Sequence, residues 1–540
     1  MQRGLVEHMR WMWCLTEGFR LRLFLYVALE VTSICLGVVF VLWTKKVVDM
    51  AVMGSGAFFS NDLQIMLLSL LLSVVLRVFA GWLNDRTKVE MLLKTQRNLL
   101  SRQLRATWRF MNKWTSGDVQ VRIQNDVQEV VLMAGYSIWS AIVTAISLIT
   151  FFLVLAWFDI RLAVLMLMVS LMFGLAKVYF KKSKALNERL KKAQSEFGHV
   201  VQESIQYKLL IRALSIYAAR WARVEDSIKK VGSLQKELIN FTTFSHGLIR
   251  LLGAIGFLLA FCWGLYRLHL GLITFGSLTA FLQLVSRIQT PVLSLMAFVP
   301  FMIRSRVAAD RVMDLMDVEV ELEKEDIKIK KLKALHVKDV SFKYEDQLII
   351  EGLSLSVAKG ESVAIMGASG KGKTTFVRLL LGLLVPTEGD IFIECENGKK
   401  ILKDQYRINM AYVPQGGKLF RGTVRQNLEV MGDKITLEEM DKAIYLGCAE
   451  FIYELPKGLD TEIGEEGYGL SEGQAQRIAI ARAMLRDSPI WLLDELTSAL
   501  DAKTAQMLMT RLLAAAEDKI ILVITHDMEI AKRCGKIINV

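Results

Sequence analysis

Val363-Ala364-Ile365-Met366-Gly367-Ala368-Ser369-Gly370-Lys371-Gly372-Lys373-Thr374-Thr375 is an apolar run, a glycine-rich loop and the start of a helical pattern near Thr374. Gly367, Gly372, Lys373 and Thr374 match the G-x-x-x-x-G-K-[ST] phosphate loop, with Ala368, Ser369, Gly370 and Lys371 between the two glycines and Thr375 following. Glycines allow backbone N–H groups to close around phosphate oxygens, and a helix N-terminus favours the anion. Lys373 is expected at the β/γ-phosphates and Thr374 on Mg²⁺. The stretch reads as a nucleotide cradle, and the remaining sequence has to say what the nucleotide is for.

At 540 residues and 53% hydrophobic, the chain is too long for one domain and too apolar for an ordinary soluble protein. Six cysteines (Cys14, Cys35, Cys262, Cys395, Cys448, Cys534) lie far apart without a C-x-x-C, so neither a disulfide framework nor a zinc site is indicated. Six apolar stretches, at 23–43, 63–83, 136–157, 162–180, 247–268 and 272–302, are each expected to cross a bilayer as a helix. Trp43, Trp82, Trp157 and Trp263 fall near their ends, where an interfacial belt places tryptophan. The run beginning near Leu23 is too long for a cleavable signal.

The net charge of +12 is distributed as cytoplasmic loops distribute it, which argues against nucleic acid as a partner. Connections 44–62, 158–161 and 269–271 are short, whereas 84–135 and 181–246 are long, helical in period and rich in Lys and Arg. By the positive-inside rule the long loops and both termini are cytoplasmic, as in a multi-pass protein of a bacterial inner membrane. A hairpin of about 25 residues each way reaches on the order of 40 Å below the membrane. Pro291 and Pro300, in the sixth span, each remove a helix donor and predict a kink. Glu30, Arg77 and Arg287 fall within spans, about 10 Å inside the cytoplasmic boundary, with Arg250 nearer the surface. Such charges are costly in lipid and mark a candidate cavity for an anionic amphiphile or lipid, set against internal ion pairing and snorkelling.

Three regions emerge: a six-helix membrane domain over 1–305, a charged linker over 306–333, and an α/β domain over 334–540. In the last, runs at 337–342, 362–366, 390–394, 410–413, 490–493 and 520–524 are expected as strands, the purely apolar ones parallel and buried. Ile490-Trp491-Leu492-Leu493-Asp494-Glu495 is an apolar strand ending in two carboxylates: Asp494 suits Mg²⁺, and Glu495 suits the orientation of water.

With these motifs in this order, residues 334–540 resemble the nucleotide-binding domain of ATP-binding cassette transporters, and residues 1–333 resemble the membrane domain of their exporters. Leu470-Ser471-Glu472-Gly473-Gln474 is similar to the family signature, and Ala475 to Ala483 continues it. Gln415 resembles the Q-loop glutamine, which also meets the metal; Asp501 the D-loop aspartate; His526 the switch histidine; and Tyr344 the aromatic stacked on adenine. Thr461 to Glu465 and Leu419 to Val424 resemble exporter-specific loops, and Ser116-Gly117-Asp118 through Arg122 to Asn125-Asp126 the first coupling hairpin.

The resemblance implies an ATP hydrolase with ATP and Mg²⁺, working as a dimer of half-transporters with a second copy or a paralogous half-transporter. Ser471, Glu472, Gly473 and Gln474 would close on the partner's ATP, and Glu495, His526 and Gln415 would serve hydrolysis. Export or flipping, import on the exporter fold, and a cassette-gated membrane regulator stay open. Two residues depart from the pattern: Glu472 replaces a signature glycine and Glu466 a common arginine. The chain reads as stopping soon after His526 without a further strand.

Overall fold

The computed structural model describes residues 4–53, 61–111, 113–164, 176–321, 324–345, 347–367, 372–432, 435–464 and 469–539. These residues form two compact units, one up to Val320 and one from Glu321 onward, with Thr107–Arg109 clustering with the second.

The first unit is helical. After α1 (Leu5–Leu15) come α2 (Arg20–Val52), α3 (Asn61–Leu104), α4 (Ser116–Phe158), α5 (Ala176–Gln206), α6 (Tyr217–His269) and α7 (Phe275–Met316). Among the described residues α2, α3 and α4 are long and apolar enough to cross a membrane, and Phe275–Ile288 of α7 is a shorter apolar stretch. Most of the expected fourth span lies outside the described residues. The expected fifth span falls within α6, and the expected sixth overlaps α7 from Phe275 onward.

The side chains of α3 are arranged inside out relative to a soluble helix. Ser69, Ser73, Ala80, Asn84 and Thr87 are buried, while Leu68, Leu71, Val75 and Val78 are exposed. Small and polar residues let helices approach closely, and the apolar face suits lipid. At 44 residues α3 is about 66 Å long, twice the bilayer core, so membrane span and basic arm are one continuous helix. The second long loop is built likewise: α5 descends, the short turn Lys208–Ala213 reverses the chain, and the 53-residue α6 returns.

Two π-helical turns, Arg122–Asp126 and Met133–Ser137, interrupt α4. The first coincides with the expected coupling-hairpin motif and places the buried Asp126 carboxylate 2.8 Å from Arg311 of α7. In α7 the helix continues through Pro291 and Pro300 without a break. The amphipathic α1 was not foreseen, because its apolar residues are too few to register as a span.

The second unit contains two larger sheets. A parallel sheet of order β11-β3-β10-β9-β6 comprises β3 (Ser362–Met366), β6 (Met410–Val413), β9 (Ile490–Asp494), β10 (Ile520–Ile524) and β11 (Lys536–Asn539). Its central strands β9 and β10 are buried throughout, which explains their unbroken apolar sequence. An antiparallel sheet of order β2-β1-β4-β5 is formed by β1 (Leu332–Tyr344), β2 (Gln347–Ala358), β4 (Glu388–Cys395) and β5 (Gly398–Ile401). A third, minimal sheet pairs β7 (Gly422–Thr423) with β8 (Glu462–Ile463), joining the two exporter-type loops read from the sequence.

β11 corrects one expectation. The chain does form a strand after His526, pairing Lys536–Asn539 with β3; the run was overlooked because only Ile537 and Ile538 are apolar. Within the expected linker, the segment around Ile327–Ile329 is pinned to this unit. Asn409 donates to the Ile327 carbonyl (2.7 Å) and accepts from the Ile329 N–H (2.7 Å).

Candidate functional site

The strand β3 ends at Met366, and the helix α8 (Lys373–Leu380) begins seven residues later. Gly372 sits between them at φ +93°, and a Cβ there would meet the Ile349 carbonyl at 2.9 Å, so glycine is required. Lys373 is buried and its ammonium donates to the Gly367 carbonyl at 2.5 Å, folding its head back over the loop entrance. Thr374 is exposed in the first turn of α8 and Thr375 is buried. Ala368, Ser369, Gly370 and Lys371 lie outside the described residues.

β9 lies two strands from β3, across β10, and delivers Asp494 and Glu495 at the same edge. Asp494 is only 4% exposed. Burial, reinforced by the Glu495 charge, pushes its carboxyl up to about 6, while Lys373 and Arg378 pull the other way. The Tyr412 phenol at the end of β6 hydrogen-bonds to Asp494, and its own pKa is pushed up to about 12 by burial and by that carboxylate.

Glu495 leaves the strand at φ +47°, a sparsely populated conformation for a residue with a side chain. Hydrogen bonds hold it there, among them two from Ser498 to its carbonyl. Its N–H donates to the Ile524 carbonyl (2.9 Å), its carbonyl accepts from Gln476 (3.1 Å), and its carboxylate accepts from the Gln415 amide (2.6 Å). His526 Nδ1 is 3.7 Å from the other carboxylate oxygen, its ring 68% exposed. Gln415, Glu495 and His526, separated by up to about a hundred residues in sequence, thus converge on one carboxylate. The Thr374 hydroxyl, the Gln415 amide oxygen and the Asp494 carboxylate are hard oxygens of the kind Mg²⁺ prefers, and a buried carboxyl raised to about 6 is a group a cation would relieve.

Tyr344 ends β1, packed edge-on against Phe342, and its phenol oxygen accepts from Arg378 of α8 (3.2 Å). The signature stretch caps the helix α9 (Glu472–Met484). The Gln474 N–H donates to the Ser471 hydroxyl (3.2 Å), and the Ser471 N–H to the Gln474 amide oxygen (2.9 Å). Glu472 occupies the first turn, where the helix dipole favours a carboxylate, so this departure is locally compatible with the fold. A Cβ on Gly473 would lie 2.6 Å from the Ala499 carbonyl, so the signature and the Ser498–Asp501 loop touch backbone to side. Asp501 caps α10 (Ala502–Ala514), accepting from the Thr504 N–H (3.0 Å), which holds its carboxyl below the usual range. Glu466 lies outside the described residues.

Arg378, Tyr412 and Gln476 were not singled out from sequence. Arg378 and Tyr412 carry no spacing signal of their own; Gln476 stands in the run after the signature, but its bond to the Glu495 carbonyl depends on how α9 meets β9.

In the membrane unit, Arg287 stacks over Phe151 (5.3 Å to the ring centre), and its guanidinium would lie 2.7 Å from a Cβ on Gly37. It lines an open cavity of about 420 Å³ with Phe40, Phe257, Gln283 and Ser286; the Gln283 amide oxygen is itself enclosed by protein, without a hydrogen-bond partner. Arg77 is within electrostatic range of both Glu30 and Arg287. Arg250 is exposed on α6 and is not among the residues lining that cavity.

Comparison with known proteins bears on both units. Residues 350–498 match the family model described as ABC transporter, and residues 23–292 match the ABC transporter transmembrane region. An ATP-dependent lipid A-core flippase of Methylococcus capsulatus is 29% identical over 89% of this chain and 82% of its own length. A flippase of the same name from Syntrophus aciditrophicus is 28% identical over 82% of this chain and 74% of its own. A bacterial Atm1-family ABC exporter solved with ATP bound shares the fold, with a TM-score of 0.79, 22% identity, and coverage of 96% of this chain and 94% of that one.

Proposed function

Because this chain belongs to the ATP-binding cassette transporters and carries both their membrane and ATPase domains, we propose that it exports or flips an anionic amphiphile, working as a homodimer that sandwiches two ATP. ATP hydrolysis coupled to transport comes with the family. The finer reading, of cargo and partner, rests on the residues.

The convergence of Gln415 and His526 on Glu495 beside Asp494 carries the ATPase half. In this reading Lys373 swings from the Gly367 carbonyl to the phosphates, and Tyr344 meets the adenine. Thr374, Gln415 and Asp494 hold Mg²⁺, which when bound neutralises charge on the transferred phosphoryl group. Glu495 orients water and accepts its proton, with His526 beside it. Ser471 and the N-terminus of α9 supply donors to the γ-phosphate of the partner's nucleotide. No residue of this set is degenerate in the chain, which favours two identical halves over a paralogous partner.

The Arg287 cavity carries the cargo half. A guanidinium and aromatic walls suit a ligand with an anionic head and an apolar body. Relatives named as lipid A-core flippases agree with that chemistry. With ATPase domain and basic arms in the cytoplasm of a bacterial inner membrane, the cargo enters from the inner leaflet.

The test is ATPase stimulation in proteoliposomes by anionic, neutral and cationic amphiphiles of equal chain length, in wild type and in Arg77→Gln with Arg287→Gln. Selective stimulation by the anionic compounds, lost in the double variant, is the expected result; equal stimulation by cationic compounds overturns the cargo. ATP-dependent uptake of the stimulating compound into inside-out vesicles establishes export, and uptake restricted to right-side-out vesicles establishes import instead.

A further inference from the structure

A second cavity, of about 450 Å³, lies in the same unit between α1, α4 and α7, and shares no lining residue with the one around Arg287. Along α7 its wall is Phe298, Met302 and Arg306, four residues apart and therefore on one helix face, spanning about 12 Å. On α4 the facing residues include Ala141 and Ala145, whose small side chains leave the gap open. Met12 and Met133 are buried at its floor, whereas Met9 (56% exposed) and Ile142 (43% exposed) stand at an open rim. The slot is graded from end to end: apolar at Phe298, towards the membrane span of α7, and cationic at Arg306, towards the helix's C-terminal extension.

α1 forms one side of this slot and is fastened there. His8, 2% exposed, hydrogen-bonds to Asp310 of α7 and to the Gly4 carbonyl, both at 2.8 Å. Its outer face shows Val6, Met9 and Trp13, with Arg20 stacked over Trp13 (4.7 Å) and Arg10 exposed; Glu7 is its one carboxylate. Such a helix suits the boundary between headgroups and acyl chains, which sets the rim of the slot at the level of lipid.

The geometry points to one occupant: an acyl chain of an anionic phospholipid of the cytoplasmic leaflet, threaded between α1, α4 and α7 with its headgroup at Arg306. The volume is within the roughly 300–1,000 Å³ of small-molecule sites. The narrow shape, two helical turns long, suits a single chain. Flexible methionines adapt to a chain of variable length, and five guanidinium donors let Arg306 meet a phosphate alongside its existing partner. Arg10 and Arg20 add positive potential near the rim. This lipid is a resident of the fold, independent of the transported cargo.

The test uses the full chain purified in detergent and exchanged into equimolar phosphatidylglycerol and phosphatidylcholine, with retained lipid counted by native mass spectrometry after delipidation. Wild type, and equally Arg77→Gln with Arg287→Gln, should retain one phosphatidylglycerol per chain with at least tenfold preference over phosphatidylcholine. Ala145→Phe, which fills the slot, should retain none, and Arg306→Gln should keep a lipid but lose the preference. A phosphatidylglycerol with a photoreactive acyl chain, applied to wild type alone, should label peptides containing Met133 and Met302 whether or not the variants fold. Retention without headgroup preference, labelling confined to other helices, or a disulfide between copies through Ile142→Cys, which would make the slot a packing surface for a second chain, overturns the assignment.

Discussion

Asp494 and Glu495 are adjacent carboxylates in different surroundings. Asp494 is buried with its carboxyl raised to about 6, whereas Glu495 is held by an amide donor on one oxygen with His526 near the other. A folded-state pKa above the unfolded value of about 3.9 means that the native state holds this proton more tightly, so the contribution of Asp494 to stability is most favourable in acid and falls as pH rises to about 6. Without cation and nucleotide, ionised Asp494 therefore costs on the order of 2–3 kcal/mol near pH 7. Asp494→Asn should raise the melting temperature of the nucleotide-free ATPase domain at pH 7.5, with the gain shrinking by pH 5. An unchanged melting temperature at pH 7.5 would show that the carboxylate is not destabilising. For Glu495 the expectation concerns rate. Glu495→Gln should bind ATP as wild type does while turnover drops roughly 10²–10⁴-fold, as expected for loss of a general base; near-normal turnover would remove Glu495 from that role. Lys373→Ala should instead weaken nucleotide binding, read by titration with a fluorescent ATP analogue.

At the scale of elements, the ATPase unit positions its groups by strand ends and helix starts. β3 leads into the N-terminus of α8, β9 ends in the carboxylates, and α9 begins at the signature under a reciprocal cap. Ser471→Ala removes that cap and should cost about 1 kcal/mol of stability. Gly473→Ala is of another kind, because the new Cβ would lie 2.6 Å from the Ala499 carbonyl and neither backbone can yield without moving the loop that ends at Asp501. It should reduce ATPase activity more than tenfold with intact ATP binding at the chain's own phosphate loop. Retained activity in Gly473→Ala would mean that the approach of α9 to this loop is dispensable. In the membrane unit the governing element is the long helix: α3 runs about twice the thickness of the bilayer core as one rod, and α6 and α7 are unbroken over 53 and 42 residues. A displacement at one end of such a helix is then carried along it without a flexible joint.

For the whole molecule the proposed working unit is two chains. Purified alone, the chain should hydrolyse ATP with a Hill coefficient above one, and titrating Glu495→Gln subunits into wild type should depress activity more steeply than their mole fraction. A monomer that hydrolyses ATP only after another half-transporter is added would replace the homodimer with a heterodimer.

The turn from β3 into α8 at Gly372, the strand ending in Asp494-Glu495, the capped helix start at Ser471 and the spans within α2, α3 and α4 were legible in the sequence. Each is a local pattern, set by backbone freedom at glycine, by burial of a strand on both faces or by the thickness of a bilayer, and local patterns survive without knowledge of the fold. Three-dimensional packing decided the rest. β2 and β5 pair in register with neighbours that no periodicity names, and β11 is a strand because β3 offers it an edge. Likewise Tyr412 reaches Asp494, Gln476 steadies Glu495, and His8 binds Asp310 across 302 residues. These partners are brought together by the packing of whole elements, and a hydrogen bond of 3 Å between distant residues leaves no trace in the spacing of either one.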